Sequence, residues 1–193
     1  MFIVLEGIDG AGKTLQQKLL YKKLMNNYKI FLTKEPTKNK IGLFISRLIK
    51  KQEINVHAME LLFMADRAEH VKEIKSKLKQ NNIIICDRYY FSTIAYGAAL
   101  GIDKKWLERT NSIFLKPDLI FLLDIDPKIA LHRIKKRGMH KQYFEKIKFL
   151  KKVREEYKNL LKKYKDIVII NSNGEIEEIT EKMIAIITSK LNK

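Results

Sequence analysis

Near the amino end, Gly7-Ile8-Asp9-Gly10-Ala11-Gly12-Lys13-Thr14 sets glycines, a lysine and a threonine hydroxyl at the spacing G-x-x-x-x-G-K-T. Glycines let the backbone turn tightly and aim successive N–H groups into the concavity that results, which suits phosphate oxygens. Lys13 adds a point charge for outer phosphates, and Thr14 offers a hydroxyl to a magnesium ion. The apolar stretch Phe2-Ile3-Val4-Leu5 ahead of the motif reads as a strand. The residues from Lys13 to Asn26 read as a helix, so its positive end meets the same spot. A glycine turn that only joins a strand to a helix has no use for the closing Lys-Thr. Gly7, Ile8, Asp9, Gly10, Ala11, Gly12, Lys13 and Thr14 are therefore assigned to a nucleoside triphosphate.

Four further groups carry chemistry. Asp87 closes the apolar run Ile83 to Cys86, where a carboxylate can complete a magnesium shell with Thr14. Asp124, after Leu119 to Leu123, competes for that role. Asp87 is distinguished by its neighbour Arg88, which can clamp a transferring phosphoryl group. Arg88, Ser92 and Tyr96 stand at i, i+4 and i+8 with Thr93 adjacent, so one helix face presents a guanidinium, hydroxyls and a phenol. Phe63 and Arg67 lie one turn apart, an aromatic face for stacking on a base and a guanidinium for its carbonyl edge. Leu62, Phe63 and Ala65 also read as ordinary core. Arg133 and Arg137 precede Gly138 in a basic segment running to Lys141, which reads either as a lid that neutralises phosphate or as a solvated helix end.

These groups need elements to hold them. Short apolar runs at Phe2–Glu6, Ile30–Thr33, Ile83–Asp87, Leu119–Asp124 and Ile167–Ile170 read as strands. Helical periods fall between them, at Lys13–Asn26, Ile41–Lys50, Val56–Lys79, Phe91–Leu100, Lys104–Leu115, Pro127–Lys136, Phe144–Tyr164 and Ile176–Leu191. This alternation predicts an α/β fold on a parallel sheet, with ligands beyond the carboxyl ends of the strands. Asp126-Pro127 is a helix start, Asp as cap and proline at the first position. No linker or repeat divides the 193 residues, so one domain over 1–193 is expected.

Composition narrows the partners. The net charge of +17 suits polyphosphates, nucleic acid or a membrane surface. The lysines are spread over nearly every helical segment instead of forming one tail, so no nucleic-acid partner is expected. No apolar run approaches the ~18 residues of a membrane span. The first residues read as a strand running into the glycine motif, with no basic region or cleavage site of a leader. A single cysteine, Cys86, fits a reducing cytosol and hence a cytoplasmic location.

The segments FIVLEGIDGAGKT, TKEPT, LLFMADRAEHV, DRYYFSTIAYG, PDLIFLLDIDP, the Arg133 to Gly138 stretch and FLKKVREEY, in this order, resemble the thymidylate kinase family. The resemblance spans nearly the whole chain. It implies a P-loop nucleoside monophosphate kinase-like fold, a five-stranded parallel sheet flanked by helices with a basic lid at about 133–145. It also implies phosphoryl transfer from MgATP to dTMP, with Mg²⁺ as cofactor, dTDP and ADP as products, and a homodimer through long helices such as Val56–Lys79. By the same resemblance Asp9 meets the acceptor sugar, Phe63 stacks on thymine and Arg67 reads its O4. Arg88 holds the acceptor phosphate, Ser92 and Thr93 face the pyrimidine edge, and Tyr96 crowds C2′. Asn171 to Glu175 packs on adenine, and Thr14 and Asp87 serve the metal.

The chain departs from the family pattern at Lys34-Glu35-Pro36-Thr37, which lacks the glycines many members carry, and the role of Arg47 is open. The lid is shortened, and the P-loop has no internal Arg or Lys; the resemblance implies that such members place the catalytic basic residue in the lid, at Arg133, Arg137 or Lys141. Lys13, Arg88, Asp9, Arg133 and Arg137 are thus the expected catalytic set. Two alternatives belong to other classes: a deoxynucleoside kinase, which needs a carboxylate base for a 5′-hydroxyl, and a nucleic-acid-stimulated P-loop ATPase.

Overall fold

The apolar runs form strands β1 (Phe2–Glu6), β2 (Ile30–Lys34), β3 (Ile83–Asp87), β4 (Leu119–Asp124) and β5 (Ile167–Asn171). All pair in parallel, in the order β2-β3-β1-β4-β5, which is the expected five-stranded sheet. β1 and β3 are buried along their whole length, and β4 up to Asp124. Continuous apolar sequence there reflects helices on both faces. β2 and β5 form the edges and are partly exposed. The computed structural model describes residues 1–51, 54–135, 143–164 and 166–192, and their side chains except those of 143–145.

The helices between the strands are α1 (Lys13–Leu24), α2 (Lys40–Lys51), α3 (Val56–Lys79), α4 (Tyr90–Ala99), α5 (Lys104–Asn111), α6 (Pro127–Lys135), α7 (Tyr143–Leu161) and α8 (Ile176–Leu191). α3 and α8 keep the bounds read from sequence. α1 stops short of Asn26, where Asn27 and Tyr28 turn back onto the Leu24 carbonyl. α5 ends at Asn111 instead of Leu115, because Phe114 N–H closes a turn on the Asn111 carbonyl. Asp126 accepts from Lys128 N at 2.7 Å and so caps α6 as expected.

Strand register gathers the functional ends. Asp87 is level with Leu5 of β1 and Lys34 of β2, and Asp124 is level with Asn171. The segments that leave β1, β2 and β3 therefore start along one edge of the sheet. Gln17 of α1 secures that edge, its amide donating to the Thr33 carbonyl at 2.6 Å and the Ile85 carbonyl at 2.8 Å. On the far side Gln16 donates to the Ile176 carbonyl and accepts from Thr180, tying α1 to α8.

Candidate active site

The glycine motif leaves β1 at Gly7 and enters α1 at Lys13. Gly10 has φ +84°, and a Cβ there would overlap the Ala130 carbonyl. Only glycine takes this turn without strain. Lys13 is 6% exposed, and its Nζ donates to the carbonyls of Gly7 at 3.0 Å and Ile8 at 2.9 Å. Burial, and then the nearby Arg88 charge, push its pKa down to about 8, against the pull of Asp87, Asp9 and Glu6. Thr14 Oγ1 donates to Asp87 Oδ2 at 2.5 Å, while Asp87 Oδ1 is buried with no hydrogen-bond partner among the described residues. The rival Asp124 is held instead by Arg154, whose Nε and Nη2 reach its two oxygens at 2.5 and 2.7 Å.

Arg88 follows β3 directly. Its backbone is left-handed, φ +72°, a conformation uncommon for a residue with a side chain and typical of functional sites. Arg88 therefore lies outside α4, and its side chain reaches along that helix instead of sharing its face. Nη1 donates to Ser92 Oγ at 2.9 Å and the Gly7 carbonyl at 3.2 Å; Nη2 donates to Asp9 Oδ1 at 2.5 Å and Tyr96 Oη at 3.3 Å. The Asp9 amide also donates to Tyr96 Oη, at 3.1 Å. Burial works against the Asp9 carboxylate, but Arg88 and Lys13 outweigh it and hold its pKa below the usual carboxylate value.

Beneath Arg88 sits a residue that sequence reading missed. Glu6, the last residue of β1, is buried, and its Oε1 accepts from the amides of Tyr89 at 2.9 Å and Ser92 at 3.2 Å. Its Oε2 accepts from Ser92 Oγ at 2.6 Å and Tyr157 Oη at 2.9 Å. A carboxylate at the first turn of α4 satisfies orphan amides and fixes where the helix begins. This explains why α4 starts at Tyr90, one residue earlier than the sequence pattern suggests. Burial nonetheless raises the pKa of Glu6. Ser92, expected at a base edge, has its hydroxyl among Glu6, Tyr157 and Arg88.

The second network surrounds Arg67, which is 1% exposed. Its Nε and Nη2 donate to Glu35 Oε2 at 2.9 and 2.7 Å, Nη2 also to Thr93 Oγ1 at 2.9 Å, and Nη1 to Asn111 Oδ1 at 2.5 Å. The guanidinium lies between the rings of Tyr89 and Phe114. His70 Nδ1 sits 3.0 Å from Glu35 Oε1, and its Nε2 2.7 Å from Thr33 Oγ1. Next to Arg67, the buried Asp66 accepts from the amide and hydroxyl of Thr37 at 2.8 and 2.6 Å. The glycine-free loop after β2 is thus gripped twice, Glu35 by Arg67 and Thr37 by Asp66. Phe63 is half-buried and Ala65 exposed, so this stretch of α3 is not simple core.

Two cavities open over these networks. A cleft of about 140 Å³ is lined by Gly10, Gly12, Lys13, Thr14 and Asp87. A larger cavity of about 510 Å³ is lined by Phe63, Arg67, Thr93, Tyr96 and Phe149 among others. Asp9 and Arg88 line both. On the cleft's side, Ser172 Oγ donates to the Ala11 carbonyl at 2.6 Å, and Arg133 Nη2 donates to the Ser172 carbonyl at 3.3 Å. The Asn171 to Glu175 loop therefore touches the glycine motif, with Arg133 behind it. Arg47 lies on the exposed side of α2 beside the Phe44 ring. Arg137 and Lys141 lie outside the described residues. Among the described residues no three His, Cys, Asp or Glu side chains form a metal cage.

A family model described as thymidylate kinase matches residues 5–183. A probable thymidylate kinase of Pyrococcus horikoshii is 41% identical over 198 residues, covering 98% of this chain and 97% of that protein. One from Methanocaldococcus jannaschii is 43% identical over 185 residues, covering 95% and 94%. One from Sulfolobus acidocaldarius is 44% identical over 198 residues, covering 100% and 99%. With a P-loop, the Asp87-Arg88 pair and a cavity joined to both, and with this similarity end to end, the chain belongs to the thymidylate kinase family.

Proposed function

We propose that this chain is a dTMP kinase that transfers the γ-phosphoryl group of MgATP to dTMP, yielding dTDP and ADP, through one kinase domain. The observation that carries this reading is that the cleft and the large cavity meet at Asp9 and Arg88. A donor triphosphate on the glycine motif and an acceptor nucleotide in the cavity then face each other across a guanidinium. The acceptor's phosphate oxygen is already largely anionic at neutral pH, so no strong base is required. The chain's task is alignment and charge neutralisation. Lys13 exchanges the Gly7 and Ile8 carbonyls for phosphate oxygens, and Arg88 exchanges Asp9 and Ser92 for the phosphoryl in transit. Asp9, released from Arg88, is free to meet the acceptor sugar, and Arg133 supplies positive charge on the triphosphate's side. Phe63 supplies the stacking face for thymine, Arg67 and Thr93 the polar edge, and Tyr96 the wall beside C2′.

Thr14 and Asp87 fit Mg²⁺: both present hard oxygens, and the buried Asp87 Oδ1 has no partner among the described residues. Bound with the triphosphate, the ion would supply Lewis-acid neutralisation of phosphate charge. The deoxynucleoside-kinase alternative is not favoured, since Asp87 hydrogen-bonds Thr14 and is not among the residues lining the large cavity. A homodimer is supported by Leu61, Ala65 and Ala68, which form an exposed stripe along α3 at i, i+4 and i+7. A cytosolic setting is supported by the buried, unpaired Cys86; among the described residues no helix is long and apolar enough to cross a membrane. No nucleic acid enters this reaction.

A coupled assay offering ATP with dTMP, dUMP, UMP, dCMP or thymidine tests the proposal. Turnover of dTMP above the others is expected. Phosphorylation of thymidine without turnover of dTMP would overturn it.

A further inference from the structure

Three carboxylates line the large cavity: Asp9, Glu35 and Glu60. Arg88 engages the first, and Arg67 and His70 engage the second. Glu60 is different. It is 3% exposed, and its Oε2 has no hydrogen-bond partner among the described residues. On α3 it stands one turn before Phe63 and two before Arg67, so all three share the helix face that borders the cavity. Opposite it on α4 is Gly97, where a Cβ would lie 3.4 Å from Glu60 Cδ and 2.9 Å from Leu107 Cδ1. The absence of a side chain at Gly97 makes room for Leu107, and Glu60 packs beside the same spot. A buried polar group without a partner destabilises a fold by roughly 1–3 kcal/mol. Such a group in a cavity wall points to a ligand that completes it.

The donor inventory of Arg67 shows what is missing. A guanidinium has five N–H groups; those on Nε and Nη2 go to Glu35 and Thr93, and one on Nη1 goes to Asn111. A single Arg67 donor, on Nη1, is left for a ligand, beside the Thr93 hydroxyl, which accepts from Nη2 and so still has its O–H to give. A thymine or uracil ring presents two carbonyls flanking an N3–H; these donors serve carbonyls, and the N3–H still needs an acceptor. A protonated carboxyl completes the edge, its O–H donating to the second carbonyl while its C=O accepts the N3–H.

We propose that Glu60 is a base-contacting, specificity-determining residue, whose neutral carboxyl pairs with the imide edge of the acceptor pyrimidine. This rests on the reading of the large cavity as the acceptor site. Burial raises the Glu60 pKa to about 7, and the opposing pull of Arg67 is the only other cause of note. That pull is limited because Glu35 already neutralises Arg67. The other charged or titratable groups around the cavity are Arg88 after β3, Asp9 in the glycine motif, Glu35 with His70 behind it, and the phenols of Tyr89 and Tyr96. α2 and α7 contribute Ile49 and Phe149, and α5 presents Leu107 to Glu60. A neutral acid held to donate a hydrogen bond near pH 7 needs this kind of low-polarity wall.

The test is calorimetric titration of the full chain with thymidine, which has no phosphate to titrate and keeps its imide proton throughout. Between about pH 6 and about pH 8.5 the wild-type affinity is expected to weaken by up to about 30-fold, as a site that binds only in its protonated form requires. Glu60→Gln keeps the donor and acceptor without ionising, so it should bind within about threefold of wild type at the lower pH and show no pH response. Glu60→Leu should weaken binding at least about tenfold at the lower pH, with ATP affinity unchanged as the folding control. If Glu60→Leu fails that control, the Glu60→Gln comparison decides alone. A pH response shared by wild type and Glu60→Gln, or thymidine binding by a folded Glu60→Leu equal to wild type, would overturn the proposal. Absence of dTMP turnover in the wild-type protein would instead overturn the kinase reading itself.

Discussion

The two halves of the site are built from different material. The cleft proposed for the triphosphate is lined mostly by one continuous stretch, Asp9 to Leu15, with Thr14 braced on Asp87 and the loop on Ser172. The cavity proposed for the acceptor is lined by side chains from α2, α3, α4, α7, the glycine motif and the segments after β2 and β3. Backbone amides need glycine spacing to cradle an anion. Discrimination of a base needs side chains whose positions are locked by other side chains. In this chain the lock is a buried cluster, the Glu35–Arg67 ion pair with His70 against the same carboxylate, continued by Thr93 and Asn111. The acceptor half should therefore be fragile to single substitutions at a distance, and the donor half tolerant except at the loop itself. Arg88 and Asp9 belong to both halves and should be tolerated least.

Substitutions can break this comparison at several levels. Arg88→Ala should have the largest effect, lowering turnover by about 10³-fold or more, as loss of a charge on the transferring group does elsewhere. Equilibrium ATP binding should change far less, and steady-state kinetics beside a binding titration separates the two. Glu35→Ala comes next. It leaves Arg67 charged and buried without its partner, a change that destabilises by roughly 3–5 kcal/mol. Denaturant unfolding reads the loss, and ATP affinity near the wild-type value in the folded fraction would confirm that the donor half is independent.

A smaller effect follows from Lys13. Its pKa in the free protein is depressed to about 8 from the ordinary 10.5. The ammonium is therefore present below about 8 and lost as pH rises through it, while an unfolded chain keeps that proton up to its higher pKa. Fewer protons on the native state mean that this group's cost to stability fades with rising pH, whereas the charge offered to phosphate is lost. ATP binding should weaken by up to about 25-fold from about pH 7.5 to about pH 9.5, and thymidine binding should not follow Lys13. The smallest effect is expected for Ser172→Ala, which removes one hydrogen bond to the Ala11 carbonyl. A loss of about 1 kcal/mol should appear in ATP affinity and leave acceptor affinity unchanged.

The same contrast decides what could be read from sequence. The glycine motif is local, so its order and flanks identify it. The five strands and the ends of α3 and α8 were also legible, because long apolar periods with clear boundaries set them. Glu6 was not, since a carboxylate closing an apolar strand carries no sign that it will cap α4 more than eighty residues later. Glu35, His70 and Asn111 look like polar punctuation until the fold brings them onto Arg67. Tyr157 reads as one more aromatic in α7, yet it completes the Glu6–Ser92 contact under Arg88. Glu60 carries no mark in the sequence, and only its burial in the cavity wall singles it out. Gln16 and Gln17 hide the buried side of α1 for the same reason: their partners are backbone carbonyls and a hydroxyl on other segments.

The proposed reaction requires two nucleotide sites that meet at Asp9 and Arg88. Calorimetric titration with adenosine and thymidine joined 5′ to 5′ through an oligophosphate tests it most directly. The joined sites should bind one such molecule per chain, about 10²-fold or more tighter than ATP alone, with both ATP and dTMP displacing it. Affinity no better than that of ATP, or displacement by ATP but not by dTMP, would contradict it.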